Sequence, residues 1–272
     1  MKKIIFSLLL SLCLNTIVLA QNAPSPAFSS ADWMLIKSHR AAGFKEQLIT
    51  QYAYFTSYNP ANRIPNYVSW CLTKEHTDGE VSRKGHKFHA NDAVGGIKVE
   101  SNDYTHSGYD RGHMCPAGDN KWNRTAMDES FLMTNICPQT HALNGGDWKE
   151  LEEQCRYWAE KYGKIYIVCG PIVPKKAGKR IGYSKVLVPN GFFKVVLCLV
   201  GKPKAIGFIY ANNKDNKPMN TYAVSVDEVE KQTGIDFFTA LKDDIEKQIE
   251  RSFNLANWYA STKHRYFMGQ KH

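Results

Sequence analysis

The tetrapeptide Asp110-Arg111-Gly112-His113 sets a carboxylate, a guanidinium and an imidazole within four consecutive positions. An imidazole titrates near neutral pH and can accept or return a proton. A guanidinium offers a planar fork of donors that suits an oxyanion and that lysine does not reproduce. Gly112, Pro116 and Gly118 would suit a charged surface turn equally well, so the tetrapeptide alone decides nothing. Two further stretches hold residue types able to do chemistry. "TNICPQTHALNGGDW" (134–148) carries Asn135 and Asn144, and "LEEQ" (151–154) carries Glu152. Each has an ordinary reading as well: Asn144 as a turn or helix-entry residue, Glu152 as a helix-surface acid, Asn135 as a partner for a buried backbone group. Their joint order carries more than any single member.

Taken in order, these blocks resemble the DNA/RNA non-specific endonuclease family, the sugar-nonspecific ββα-metal nucleases. The family signature runs D-R-G-H, S/T-N-x-x-P-Q, L-N-x-G-x-W and then L-E. All four blocks stand here in sequence, and the resemblance extends from about residue 45 to 260. It implies His113 as general base, Asn144 as direct metal ligand and Glu152 as an outer-shell carboxylate. It places Arg111 and Asn135 where the phosphate is contacted or oriented. Arg83, in "NYVSWCLTKEHTDGEVSRKG", is carried over as a second catalytic arginine on a looser match. The implied cofactor is Mg2+, with Mn2+ able to substitute, and the implied substrates are DNA and RNA. Magnesium keeps most of its waters, so one side-chain carbonyl can suffice to hold it. Asn144 and Glu152 are eight residues apart, about 12 Å of rise on a single helix. That separation favours Glu152 acting through a water rather than directly.

These residues need a frame, and the rest of the chain supplies one. Alternating aromatic and polar residues over 47–59 and 66–75 predict two strands joined by a turn. "NRTAMDESF" predicts a short helix. From Gly146, Trp148, Leu151, Cys155 and Trp158 recur at three- and four-residue spacing until Gly163, the firmest helical pattern in the chain. "KIYIVCGPIV", "SKVLVP", "FFKVVLCLV" and "KAIGFIYAN" predict strands, and "SVDEVEKQTG" with "DDIEKQIERSF" a helical end. Strands with interspersed helices and no regular βαβ alternation indicate an α+β fold, with a largely antiparallel central sheet and flanking helices. The resemblance adds a ββα-metal motif at the active site.

Lys2 and Lys3, an apolar run to about Leu19 and then Ala20 have the order of a secretory signal peptide over 1–20. Residues 21–44 are expected to be an N-terminal leader, loose from Asn22 to Ser30, and 45–265 the endonuclease domain. The mature chain is then expected in the periplasm or outside the cell, and no later segment is long and apolar enough for a bilayer span. The formal charge is +9, and loss of Lys2 and Lys3 leaves +7, which suits an anionic partner. Eleven lysines and arginines but no acid fall between Lys161 and Lys214, including the "PKKAGKR" stretch, a candidate phosphate-binding rim. Six cysteines follow the signal, an even number that favours disulfides in an exported chain, with Cys115 and Cys137 a candidate pair; Cys169 and Cys198, inside apolar runs, equally suit free buried thiols. A competing reading is a non-enzymatic nucleic-acid binder stapled by zinc, with His106, Asp110, His113, Cys115, Cys137 and His141 as the donor pool.

Overall fold

The computed structural model describes residues 27–258 except positions 38, 42 and 216. The expected signal peptide therefore lies outside the described residues. Thirteen strands are described: β1 (Arg40–Ala41), β2 (Gln47–Thr50), β3 (Phe55–Asn59), β4 (Ile64–Thr73), β5 (Asp110–His113), β6 (Ile136–Gln139), β7 (Lys164–Ile172), β8 (Arg180–Ile181), β9 (Val186–Leu187), β10 (Gly191–Cys198), β11 (Lys204–Ala211), β12 (Ala223–Val224) and β13 (Ile235–Asp236). Seven form one sheet in the order β12-β11-β10-β7-β4-β3-β2, antiparallel at every pairing. The fold is thus α+β with an antiparallel centre, as the sequence pattern indicates.

Side chains alternate across a strand, and this alternation divides the core in two. Val68, Trp70 and Leu72 of β4, with Phe192 and Val196 of β10, face the side we call the front. Tyr67 and Cys71, with Phe193, Val195 and Leu197, face the back. The long helix Asp147–Tyr162 covers the front through Trp148, Leu151, Cys155 and Trp158. Its observed ends lie one residue inside the two glycines that bracket the apolar period. The back is covered by three eight-residue helices, Ser30–Lys37, Val226–Thr233 and Asp243–Glu250.

Three expectations change. The run 47–59 is two strands, β2 and β3, paired antiparallel around a turn in which the Gln51 amide donates to the Tyr54 carbonyl. Ser30–Lys37, inside the expected leader, is a helix that buries Trp33, Leu35 and Ile36 against the back of the sheet. The six cysteines are all free and buried. They serve as small apolar groups on separate core elements, and burial pushes the thiols of Cys71, Cys155 and Cys169 up to about 12. None of the described helices is long and apolar enough to cross a membrane.

Candidate active site

The motif blocks converge on the front face. β5 is the DRGH block itself, and it pairs antiparallel with β6, from the second block. Gly112 lies opposite Cys137, and a Cβ at Gly112 would run into the buried side chain of Gln139. The chain then turns through a short helix, His141–Gly145, into Asp147–Tyr162, completing two strands and a helix. Gly146, with φ −109° and ψ −113°, breaks the two helices, and a Cβ there would strike the Ala142 carbonyl. Asn144 and Glu152 are therefore on different helices, not on one continuous helix. Both line the same cleft of about 770 Å³, together with Arg83, Arg111, His113, Lys121, Lys149 and Arg156.

His113 is fixed through its backbone, whose carbonyl accepts from the Trp148 indole at 3.2 Å. Its ring lies between Phe88 and Phe131, each 5.2 Å away between centroids. Its Nε2 is enclosed and has no partner. Burial first, and then the Arg83 charge, push the imidazole down to about 3, so it is neutral at pH 7. Arg83 itself lies over the Phe131 ring at 5.6 Å, which puts both proposed arginines at the cleft. Arg111 is held by the Ser101 carbonyl, at 2.6 Å from Nη2 and 3.2 Å from Nε, and by Thr105 Oγ1 at 3.3 Å. Phe88 and Tyr104 flank its guanidinium.

Asp110, which the sequence offered only as one of the zinc donors, holds Asn144 beside the cleft. One of its carboxylate oxygens accepts from Asn144 Nδ2 at 3.0 Å and lies 2.9 Å from His141 Nδ1. With its amide nitrogen engaged, Asn144 keeps its carbonyl oxygen for another partner. Glu152 is half-buried. Burial, offset in part by Lys194 and Arg156, pushes its carboxyl up to about 7. Across the same helix face, four residues on, Arg156 donates to Asp119 at 2.9 Å, and Asp119 also accepts from Trp70 Nε1 at 3.1 Å. An amide oxygen and a half-buried carboxylate, with no thiolate, fit a hard divalent ion that retains its waters.

Asn135 departs from its expected place. It is fully buried, and its side chain is used up inside the protein. Its carbonyl accepts from the Cys115 amide, and its amide donates to the carbonyls of Cys115 and Ser130, all at 2.8 Å. It clamps the chain just after His113 and does not line the cleft. The zinc staple also fails. Among the described residues, the one group of His, Cys, Asp and Glu atoms close enough to share an ion is Asp227, Glu230 and Glu250, and it contains none of the six donors proposed. The "PKKAGKR" stretch does not line the cleft either. Arg180 donates to the Ala61 and Lys185 carbonyls and Lys179 lies 4.7 Å over the Tyr109 ring. Besides Asp110, sequence reasoning missed Lys121, Lys149 and Arg156. Arg156 was accessible from its four-residue spacing to Glu152 on the helix; the other two had no local signal.

Residues 35–244 match the model of the DNA/RNA non-specific endonuclease family. The mitochondrial nuclease EXOG of Danio rerio is 35% identical over 202 residues, covering 68% of this chain and 59% of that protein. A nuclease of Nostoc sp. is 31% identical over 214 residues, covering 75% and 77%. Among solved structures, the EndoG/EndoGI complex superimposes with a TM-score of 0.71 at 27% identity, covering 79% of this chain and 94% of that one. The chain spans 55–59% of the length of the vertebrate EXOG relatives.

Proposed function

Because the chain belongs to the DNA/RNA non-specific endonuclease family, we propose that it is an endonuclease that hydrolyses internal phosphodiester bonds in both DNA and RNA. The observation that carries this reading is the convergence of His113, Asn144, Glu152 and five cations on one cleft. A divalent ion, Mg2+ with Mn2+ able to substitute, would be held by the Asn144 carbonyl with Glu152 as its outer carboxylate. When bound it supplies charge compensation at the phosphate and at the leaving oxygen. Asp110 sets the orientation of Asn144 for that task.

His113 acts as general base, taking the proton of the attacking water. A conjugate acid at about 3 makes the free imidazole a weak base. The arriving phosphate places negative charge beside Arg83 and the imidazole, which raises the His113 pKa toward the range where it takes a proton well. Arg83 and Arg111 grip the non-bridging oxygens. Arg111 is already held by Ser101 and Thr105, so little of its side-chain freedom is lost on binding. None of these contacts reads a base, which agrees with cutting both nucleic acids. The catalytic domain is proposed over 45–265, and Lys2, Lys3 and the apolar run before Ala20 support export. Incubation with supercoiled plasmid and with RNA, with and without EDTA, tests the activity. Nicked and then linear plasmid should precede small fragments, and EDTA should stop the reaction. Cutting at full rate in excess EDTA would remove the metal role, and no cutting with any divalent ion would remove the enzyme. A mature N-terminus near Gln21 tests export.

A further inference from the structure

We propose that Asp227, Glu230 and Glu250 form a second, structural site for a divalent cation of the calcium type, on the back of the sheet and separate from the cleft. Asp227 and Glu230 are three residues apart on the Val226–Thr233 helix and so share a face. Glu250 is the last residue of the Asp243–Glu250 helix. Each offers one carboxylate oxygen, and these three oxygens lie within 4.8 Å of one another. The two helices also contribute Val226, Val229 and Ile249 to the back core, so an ion here would join them where they already pack.

Proximity of acids alone would not make a site, but Glu250 adds a separate observation. It is 5% exposed, and its Oε1 is closed off from solvent without a hydrogen-bond partner. Glu246, one turn earlier on the same helix, has a second enclosed and partnerless Oε1. Burying such oxygens without a partner is costly, and native folds rarely leave them so. The strongest influences on Glu250 are burial and then four acids, Glu230, Glu246, Asp227 and Asp236. Among the described residues no ion pair engages any of these five. Glu230 gives one oxygen to the Phe237 amide at 2.9 Å and keeps the other. The donor set is oxygen only and spread over two helices. Ca2+ takes six to eight oxygens in flexible geometry, whereas Mg2+ demands a near-ideal octahedron and gives up its waters reluctantly. The site holds no nucleophile or base of the cleft, so its effect is on stability.

The test uses the full mature protein, stripped with EDTA and titrated with CaCl2 in a calorimeter and in thermal melts. Asn144→Ala, which disables the cleft site, should still bind one Ca2+ and gain about 5 °C or more in Tm at saturation. Adding Asp227→Asn and Glu250→Gln should abolish both the binding event and the shift. These replacements keep shape and remove repulsion, so the metal-free Tm should not fall. Should the combined variant not fold, Asp227→Asn alone, at an exposed position, should weaken Ca2+ at least about tenfold. A wild-type Tm that ignores Ca2+, or an unchanged shift in the Asp227→Asn, Glu250→Gln protein, would overturn the site. An equal response to Mg2+ would overturn the calcium assignment. All these readouts are independent of nuclease activity, so the site can fail without touching the endonuclease reading.

Discussion

Two half-buried histidines, one on each side of the sheet, are shifted alike and differ in what they face. Burial pushes both His113 and His39 down to about 3, and each has an enclosed Nε2 with no partner. Both are packed by aromatic rings: His113 by Phe88 and Phe131, His39 by Tyr67 at 5.0 Å and by Phe237 and Phe238. His39 is surrounded by core, and its Nδ1 accepts from the Phe238 amide at 3.4 Å. His113 lines a cleft shared with five cations, an amide oxygen and a carboxylate. A perturbed pKa marks burial; access and charged company mark a catalyst.

The largest expected effect separates the pair directly. His113→Ala should lower turnover ~10²–10⁴-fold, the usual loss for a general base, with the fold intact. His39→Ala should keep its activity per folded molecule and lose roughly 2–4 kcal/mol of stability, as a large buried ring does when truncated. Plasmid-nicking rates at 25 °C beside urea denaturation curves measure both. If folded His39→Ala loses as much turnover as His113→Ala, the contrast between front and back collapses.

Asn135 sharpens the distinction between touching substrate and holding the residue that does. Asn135→Ala removes three buried hydrogen bonds and leaves the Cys115 amide and the Cys115 and Ser130 carbonyls without that partner. Each deserted group costs about 1–3 kcal/mol, so a loss of roughly 3–9 kcal/mol in unfolding free energy is expected. Asn135→Asp would keep the bond from the Cys115 amide but set a buried carboxylate oxygen against the Cys115 and Ser130 carbonyls, so it should be no more stable than the Ala variant. A phosphate-contacting Asn135 would instead show wild-type stability with weakened substrate binding.

The back face should respond to pH over a wider range than the cleft, where Glu152 stands at about 7. In metal-free protein, Glu250 stands at about 9 and Glu230 at about 7, both above the ordinary 4.5. Their neutral forms are the ones the fold favours. The stability they contribute is complete below pH 4.5 and is lost as pH rises through about 7 and then about 9. Stability followed by urea denaturation from about pH 6 to 9.5 should fall, and Glu250→Gln should flatten the upper part of that fall. An unchanged slope would mean that Glu250 ionises freely in the fold.

Much of the front face was legible in the sequence because its signals are local. Ordered motif blocks, a three-and-four-residue apolar period and glycines at helix ends each require only a few neighbouring residues to be seen. What the sequence did not disclose depends on distant partners. Nothing in "TQYAYF" marks a turn, because Tyr54 is buried there and its hydroxyl donates to the Glu129 carbonyl, 75 residues away. Ser30–Lys37 is short and becomes a helix worth having only against the back of the sheet, where Ser69 Oγ donates to the Ile36 carbonyl at 2.5 Å. The role of Asp110 rests on residues 31 and 34 positions further on. Even cysteine number suggested disulfides, yet each thiol found its own place in the core.

The smallest expected effect distinguishes two groups of cations that the sequence could not tell apart. Lys175, Lys176, Lys179 and Arg180 form the densest basic cluster between Lys161 and Lys214, but the cleft is lined instead by Arg83, Arg111, Lys121, Lys149 and Arg156, drawn from separate elements. Arg156 is occupied by Asp119, and Arg83 and Arg111 are assigned to the reacting phosphate. Lys121 and Lys149, the latter only loosely paired with Glu153 at 3.8 Å, remain for the flanking phosphates. Removing one cation that neutralises a phosphate should reduce the slope of log affinity against log salt by about 0.9 on duplex DNA, so Lys121→Ser with Lys149→Ser should lower it by about 1.8. Changing all four loop cations to Ser should move the slope by less than about 0.9, since Arg180 holds the Ala61 and Lys185 carbonyls and Lys179 covers Tyr109. Fluorescence anisotropy on a His113→Ala background, over ~50–200 mM salt, avoids cleavage during the titration. A larger drop for the loop than for the cleft pair would show that duplex runs across the β8–β9 side of the molecule, and the path of the nucleic acid away from the cleft would have to be redrawn.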